Sequence, residues 1–236
     1  VRKSTSWLYQ PLFNQISEFN LAVLNILTRT ASRRNNRWQA FGEWAAFYNR
    51  EITEKDLQGN VEHHAFFLGK VEELAKRQKE AIPSLLEVGI GTATMSIYFS
   101  RRFYKVVGID NDPFVVANAI QTNKRLGGYA TYFCMDAFLL PEYFKSDLFD
   151  VAFSQGTLEH FDNKALKKLI EAQLSVAKTV AFSVPSVYWP RRDFGNERRL
   201  SLEEWERILK SCGFKVEELA YYPQDTKYHI YGCVAK

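Results

Sequence analysis

The chain has 236 residues, of which 46% are hydrophobic and 25% charged, which is typical of a globular protein with a large core that needs no cross-links. No run of 18 apolar residues exists and the N-terminus has no signal-peptide core, so we expect no transmembrane segment. A net charge of +4 is too small to indicate a nucleic-acid partner by itself, although it leaves that alternative open.

The three cysteines are Cys134, Cys212 and Cys233, and they form no C-x-x-C pair. An odd number of cysteines without the spacing of a zinc site favours free thiols in a reducing compartment. We therefore expect a cytoplasmic protein.

Residues 9–30 carry apolar side chains at intervals of three and four, which predicts a long helix with one apolar face. Such a face usually packs on its own domain, and the alternatives are a homodimer or a membrane surface. An arginine cluster follows without an acidic residue in it. It is typical of a solvated surface, with a phosphate or anionic lipid partner as the alternative. Its members are Arg29, Arg33, Arg34 and Arg37.

Aromatic residues recur at helical intervals from Trp38 to Tyr48, a pattern that is more often part of a core than of a pocket. The pair His63 and His64 follows. No further ligand stands at a spacing typical of metal sites, and no carboxylate cluster completes one. The sequence thus predicts no bound metal.

An apolar strand that carries Glu87 runs into the turn Gly89-Ile90-Gly91 and then into a helix predicted over residues 94–103. This is the nucleotide-binding strand-turn-helix of a doubly wound α/β sheet, whose glycines let a ligand approach the backbone. The turn lacks the third glycine of a dinucleotide site, and a carboxylate would repel a pyrophosphate. It suits instead a ligand that carries an ammonium and a sulfonium group.

The next predicted strand, residues 104–110, ends at Asp110, about 20 residues beyond the glycine turn. A carboxylate at this place can accept hydrogen bonds from both hydroxyl groups of a ribose. Asp112 and Pro113 then suit the cap and the first turn of a helix over residues 114–125. We assign Asp110 to a ligand and Asp112 to the helix.

Further strands are predicted at residues 130–135 and 148–154. The first leads to Asp136, whose carboxylate is suited to accept a hydrogen bond from an adenine amino group. The second leads to Gln155 at the same edge of the sheet. Helix and strand then alternate: a helix over 163–177, a strand over 179–184, a helix from the capping box of Ser201 and Glu204 to about residue 211, and strands over 215–221 and 228–235.

Four segments, in this order and spacing, resemble the class I S-adenosylmethionine-dependent methyltransferases, particularly the small-molecule enzymes. They are ExGxGxA from Glu87, GIDxDP from Gly108, xDA at Asp136 and FDVAFSQGTLEHF from Phe149. The resemblance covers residues 84–236 and implies a Rossmann-like core, a doubly wound sheet of seven mostly parallel strands whose last strand is antiparallel. It leaves residues 1–83 as an N-terminal helical cap over the acceptor site.

The resemblance also implies S-adenosylmethionine as the cofactor and a role for individual residues. Alanine at position 93 replaces a glycine that is frequent in the family. Carried over by position, Glu87, Gly89, Ile90 and Gly91 face the methionine part of the cofactor, Asp110 holds the ribose, Asn111 lines the adenine, Asp136 and Ala137 meet the adenine edge, and Gln155 lies near the sulfonium through its backbone.

The acceptor site is less specified. In this family the segment before the sheet commonly lines the acceptor pocket, and the loop over residues 185–199 offers aromatic walls and arginines that could clamp a carboxylate or phosphate. A solvated loop with internal ion pairs is the alternative. The candidate residues are Trp44, Tyr48, Tyr188, Arg191, Arg192 and His229.

Methyl transfer from a sulfonium is an in-line displacement of an activated donor, so orientation supplies much of the rate. Only a protonated acceptor needs a base, and His160 is the candidate, although histidine is frequent there in the family without being catalytic. The sequence predicts methylation of an oxygen or nitrogen of a small molecule, such as an anionic metabolite or a natural-product intermediate. An RNA or protein acceptor and a non-catalytic binding module are the alternatives, and a dinucleotide oxidoreductase is weaker.

Overall fold

The computed structural model describes most of the chain after residue 47. The described residues are 48, 50–77, 80, 82–191 and 197–236. Several predictions concern residues outside these ranges: the helix over residues 9–30 and the homodimer through it, the arginine cluster, Trp44 and Arg192.

A single seven-stranded sheet lies at the centre of the described chain. Its strands are β1 (Ser84–Val88), β2 (Lys105–Asp110), β3 (Thr131–Cys134), β4 (Phe149–Gln155), β5 (Ala177–Pro185), β6 (Lys215–Tyr222) and β7 (His229–Ala235). Their order across the sheet is β3-β2-β1-β4-β5-β7-β6. The first five strands pair in parallel, and β7 runs antiparallel to both β5 and β6. The predicted fold class is confirmed.

Helices cover both faces of the sheet. They are α1 (Glu54–His63), α2 (Ala65–Arg77), α3 (Thr94–Arg101), α4 (Pro113–Arg125), α5 (Leu140–Tyr143), α6 (Asn163–Val176) and α7 (Leu202–Ser211). One apolar cluster joins α2, α3 and α4 to one face, and a second joins α6 and α7 to the other. Successive strand residues such as Leu85 and Leu86 belong to different clusters, because side chains alternate between the faces of a sheet.

Several helix starts follow the caps that the sequence indicates. Asp112 accepts a hydrogen bond from the Phe114 amide at 2.8 Å, and Ser201 and Glu204 form a reciprocal capping box. Within the described residues, no helix combines the length and the apolarity needed to cross a membrane.

Replacement of Gly232 by alanine should destabilise the sheet. Gly232 on β7 pairs with Phe182 on β5, and a Cβ atom would lie 2.1 Å from the Cζ atom of that fully buried ring. We expect Gly232→Ala to lower the free energy of unfolding in urea by about 1–3 kcal/mol.

Gly59→Ala in α1 is the matched control, because its Cβ would meet no atom of the described residues within 4 Å. That change should raise the free energy of unfolding by up to about 1 kcal/mol through helix propensity. An unchanged unfolding midpoint for Gly232→Ala would contradict the packing described for β5 and β7.

Candidate active site

The turn between β1 and α3 has the backbone of a ligand-binding loop. Gly89, Gly91 and Ala93 have φ angles of 76°, 46° and 60°, a region that residues with a side chain rarely adopt. Added Cβ atoms would lie 2.5 Å from the Oγ1 atom of Thr157 at Gly89 and 3.1 Å from the ring of Tyr48 at Gly91. Thr157 and Tyr48 therefore enclose the turn on two sides, and the absence of side chains at the two glycines leaves space between them.

The side chain of Glu87 connects β1 to the first turn of α3. Its carboxyl group is buried and accepts hydrogen bonds from the Ser96 amide at 3.0 Å and from the Ser96 hydroxyl. Ala93, the N-cap residue of α3, makes no side-chain cap bond, so Glu87 supplies an acceptor for the helix N-terminus from the neighbouring strand. Burial raises the pKa of Glu87 to about 8, with a smaller contribution from the charge of Asp110. Its role towards the methionine part of a cofactor stays a prediction.

Asp110 connects the end of β2 to the same turn. Its carboxylate accepts a hydrogen bond from the Asp112 amide at 3.0 Å and weaker ones from the amides of Ile90 and Gly91. Burial raises the pKa of Asp110 to about 6, while these hydrogen bonds favour its ionised form. The side chain is thus held at the carboxyl edge of the sheet, next to the glycine turn.

The remaining predicted cofactor residues follow the carboxyl ends of neighbouring strands. Asn111 and Asp136 are exposed, and Asp136 accepts a hydrogen bond from the Phe138 amide at 2.9 Å. Ala137 begins the short 3₁₀ turn that this bond caps. Gln155 is the half-buried last residue of β4, and its carbonyl oxygen lies 3.4 Å from the Thr157 hydroxyl. These positions share one edge of the sheet.

The candidate acceptor residues are dispersed. Tyr48 lies against the glycine turn, whereas Tyr188 and Arg191 are exposed. The Nε2 atom of His160, the predicted base, lies 3.9 Å from the Oε1 atom of Glu159. Burial raises the pKa of Glu159 to about 8.

His229 stands apart from the other candidates because it meets two histidines from the α1–α2 junction. Its Nε2 atom lies 3.0 Å from the Nε2 atom of His63, and ligating nitrogens of His63, His64 and His229 all lie within 4.8 Å of one another. We refer to these three residues as the histidine cluster. Spacing along the sequence does not reveal the cluster, because 166 residues separate His63 from His229 and the fold brings α1 to β7.

The histidine cluster is buried against aromatic side chains. The His64 Nδ1 atom lies 3.1 Å from the Tyr222 hydroxyl, and the ring of Trp189 lies 4.9 Å from the ring of His229. Burial lowers the pKa of His64 to about 3 and that of His229 to about 4, so both imidazoles are neutral near pH 7.

The histidine cluster belongs to the same edge of the sheet as the glycine turn. The Tyr222 hydroxyl is hydrogen-bonded to the Ser183 hydroxyl, and Ser183 is the register partner of Gln155. The cluster therefore lies on the β5–β7 side of the edge, and Asp110 lies on the β2 side.

Comparisons with known proteins agree with this arrangement. Residues 85–179 match the family model described as Methyltransferase domain. This match and the shared fold agree with the class I S-adenosylmethionine-dependent methyltransferases that the sequence motifs resemble. No curated protein sequence matches the chain.

Solved structures share the fold at low sequence identity. Magnesium protoporphyrin IX methyltransferase from Synechocystis PCC 6803, with bound SAH, is 16% identical with a TM-score of 0.58, over 88% of this chain and 99% of that one. A S-adenosylmethionine-dependent methyltransferase from Clostridium acetobutylicum ATCC 824 is 15% identical with a TM-score of 0.59, over 83% and 98%. The [4+2]-cyclase SpnF is 16% identical with a TM-score of 0.57, over 72% and 80%.

Glu87→Gln should remove a pH-dependent loss of stability. A carboxyl group whose pKa rises from 4.5 to about 8 on folding stabilises the fold fully below pH 4.5 and loses that contribution as the pH rises through about 8. The amide keeps an acceptor for Ser96 and does not ionise. Relative to the wild type, the free energy of unfolding of the variant should therefore increase between about pH 5 and about pH 9, by at most about 5 kcal/mol.

Urea unfolding of both proteins at several pH values measures this difference. Glu159 titrates in the same direction and is present in both proteins, so it largely cancels in the comparison. A difference in free energy that is independent of pH would show that Glu87 ionises normally in the fold.

Proposed function

We propose that the protein transfers a methyl group from S-adenosylmethionine to an oxygen or nitrogen of a small-molecule acceptor, such as an anionic metabolite or a natural-product intermediate. The observation that carries the proposal is the position of Asp110. Its carboxylate is fixed by backbone amides of the glycine turn at the carboxyl edge of a methyltransferase domain.

Two features of the edge fit this cofactor. The left-handed backbone at Gly89 and Gly91 forms a cradle in which a Cβ atom would collide with Thr157 or Tyr48. The Asp110 carboxylate beside it suits hydroxyl, ammonium and sulfonium groups and opposes a pyrophosphate, and Glu87 adds to this when it ionises. When bound, the cofactor supplies an activated methyl group on a positively charged sulfur.

The residues of the chain bind and orient the donor in this proposal. Asp110 accepts hydrogen bonds from the ribose hydroxyls, and Gln155 approaches the reacting end through its backbone. A cation placed near Glu87 favours its carboxylate form, so donor binding is coupled to release of the proton that burial retains on Glu87. Asn111, Asp136 and Ala137 border the adenine.

The acceptor binds, in this proposal, between the glycine turn and the histidine cluster. Tyr48 and the α1 helix cover this region, and the Thr94 hydroxyl donates a hydrogen bond to Asn60 of α1 at 2.9 Å. These contacts support residues 1–83 as a cap over the acceptor and residues 84–236 as the core. His160 remains our candidate base for an acceptor that must lose a proton.

Three free cysteines support a cytoplasmic location.

The choice of a small acceptor is supported by the structures that share the fold. They include the magnesium protoporphyrin IX methyltransferase and a protein whose structure concerns a thioacetal group formed during echinomycin biosynthesis. The cyclase among them shows that this fold also serves another reaction, so methyl transfer must be tested directly.

The test has two stages. Calorimetric titration with S-adenosylmethionine, S-adenosylhomocysteine and NAD should show micromolar binding of the first two and none of NAD. Acceptor candidates with a hydroxyl or amine, in anionic and neutral pairs, are then incubated with methyl-labelled cofactor. Labelled product supports the enzyme, whereas failure of both methyl-donor ligands to bind a folded sample would overturn the proposal.

Asp110→Asn should weaken S-adenosylmethionine binding by about 10–100-fold, because an amide replaces a charged acceptor of ribose hydrogen bonds. Calorimetry on the variant measures this loss, and circular dichroism checks the fold.

Asp147→Asn is the matched control. Asp147 is exposed, forms an ion pair with Lys236 and lies just before β4, at the end of the strands opposite to Asp110. It should keep the affinity of the wild type. Equal affinities for the Asp110 variant and the wild type would remove the assignment of Asp110 to the ribose.

A further inference from the structure

The histidine cluster combines residues from separate parts of the fold. His63 ends α1, His64 caps it, and His229 begins β7. His64 and His229 are buried, and His63 is exposed. Among the described residues, these three imidazoles contact the rings of Tyr222 and Trp189 and one another.

The distances suit a shared ion. Zinc–nitrogen bonds of 2.0–2.1 Å in a tetrahedral site place ligand nitrogens about 3.3 Å apart. The Nε2 atoms of His63 and His229 are 3.0 Å apart, and the widest separation in the histidine cluster is within 4.8 Å. The exposed His63 side chain leaves room for the small closure that equal distances require.

A second observation concerns unpaired polarity. His229 is only 4% exposed, and its Nδ1 atom is buried with no hydrogen-bond partner among the described residues. The contact between the two facing Nε2 atoms leaves this Nδ1 atom unpaired whichever ring donates the proton. An unpaired buried polar atom destabilises the fold, and such atoms are often found at functional sites.

A third observation is the support behind His64. Its Nδ1 atom is hydrogen-bonded to Tyr222, which is hydrogen-bonded in turn to Ser183. Metal-binding histidines commonly use their second nitrogen in this way, which fixes the ring and directs the other nitrogen to the ion.

We propose that His63, His64 and His229 form a binding site for a divalent transition-metal ion of the zinc type. Three imidazole ligands favour zinc, cobalt or nickel over magnesium or calcium, which prefer oxygen. The sequence-based prediction of no metal considered spacing along the chain, and the fold supplies the third ligand that it did not find.

Three protein ligands leave a tetrahedral ion one open position. The cluster lies beside Ser183, the register partner of Gln155, so this position is near the edge at which we place the acceptor. We expect an oxygen or nitrogen of the acceptor to occupy this open position, and that expectation rests on the proposed function. The proposal that the cluster binds a metal does not depend on the proposed function.

The competing explanation is a hydrogen-bond network that fastens α1 and α2 to β7 without a metal. Titration of chelator-treated protein with Co²⁺, followed by visible absorbance, separates the two. We expect one equivalent to bind with the absorption bands of a low-coordinate nitrogen site, and Zn²⁺ to displace it and raise the unfolding temperature.

His63→Ala removes a ligand on an exposed position and leaves the core intact. It should weaken Co²⁺ binding by at least about tenfold and abolish the unfolding shift by Zn²⁺, since even loss of a supporting partner costs about 10–100-fold. Tyr222→Phe should weaken binding within that range. His160→Ala changes the one histidine of the four in the chain that lies outside the cluster, so it is the control and should bind as the wild type does.

Absence of Co²⁺ binding, or equal affinity for the wild type and His63→Ala, would overturn the metal site. An equal loss of Co²⁺ affinity in His160→Ala would place the bound ion elsewhere and would overturn the proposed site as well. The affinity for S-adenosylmethionine is also measured on the chelator-treated protein. Loss of that affinity would count against the proposed function, whereas loss of Co²⁺ binding alone would count against the metal site.

Discussion

The buried carboxyl group of Glu87 joins the end of β1 to the first turn of α3, and the geometry of the site depends on this contact. The turn between them is short because three of its residues adopt positive φ. The Glu87 side chain therefore reaches the amide and the hydroxyl of Ser96 and replaces the cap that Ala93 does not provide. This fixes the direction in which the helix N-terminus and the turn amides point.

The other parts of the edge are arranged around that fixed turn. Its amides hold Asp110 at the end of β2, Thr157 closes over Gly89, and Tyr48 covers Gly91. On the opposite side of β4, the pairing of Gln155 with Ser183 connects the turn to Tyr222 and the histidine cluster. One continuous edge thus carries an acidic half, suited to a cationic donor, and an imidazole half, which our proposals assign to the acceptor and a metal ion.

The sequence allowed the α/β sheet and the carboxyl-edge positions of Asp110, Asp136 and Gln155 to be predicted, because strand periodicity and glycine turns are local signals. Burial depends on contacts between distant parts of the chain and is harder to predict. The sequence indicates Glu87 as a charge beside a ligand, yet its carboxyl group is directed at Ser96 and its pKa is raised. The histidine cluster depends on the contact of α1 with β7, which no spacing along the chain encodes. Asp136, expected at an adenine, also caps a 3₁₀ turn, a second use of the same carboxylate.

A crystal structure of the protein with S-adenosylhomocysteine would show directly whether Asp110 binds the ribose. We expect the ribose hydroxyls on the Asp110 carboxylate and the amino-acid end of the ligand over Gly89 and Gly91. A ligand bound away from this edge, or an edge left empty at saturating ligand, would contradict it.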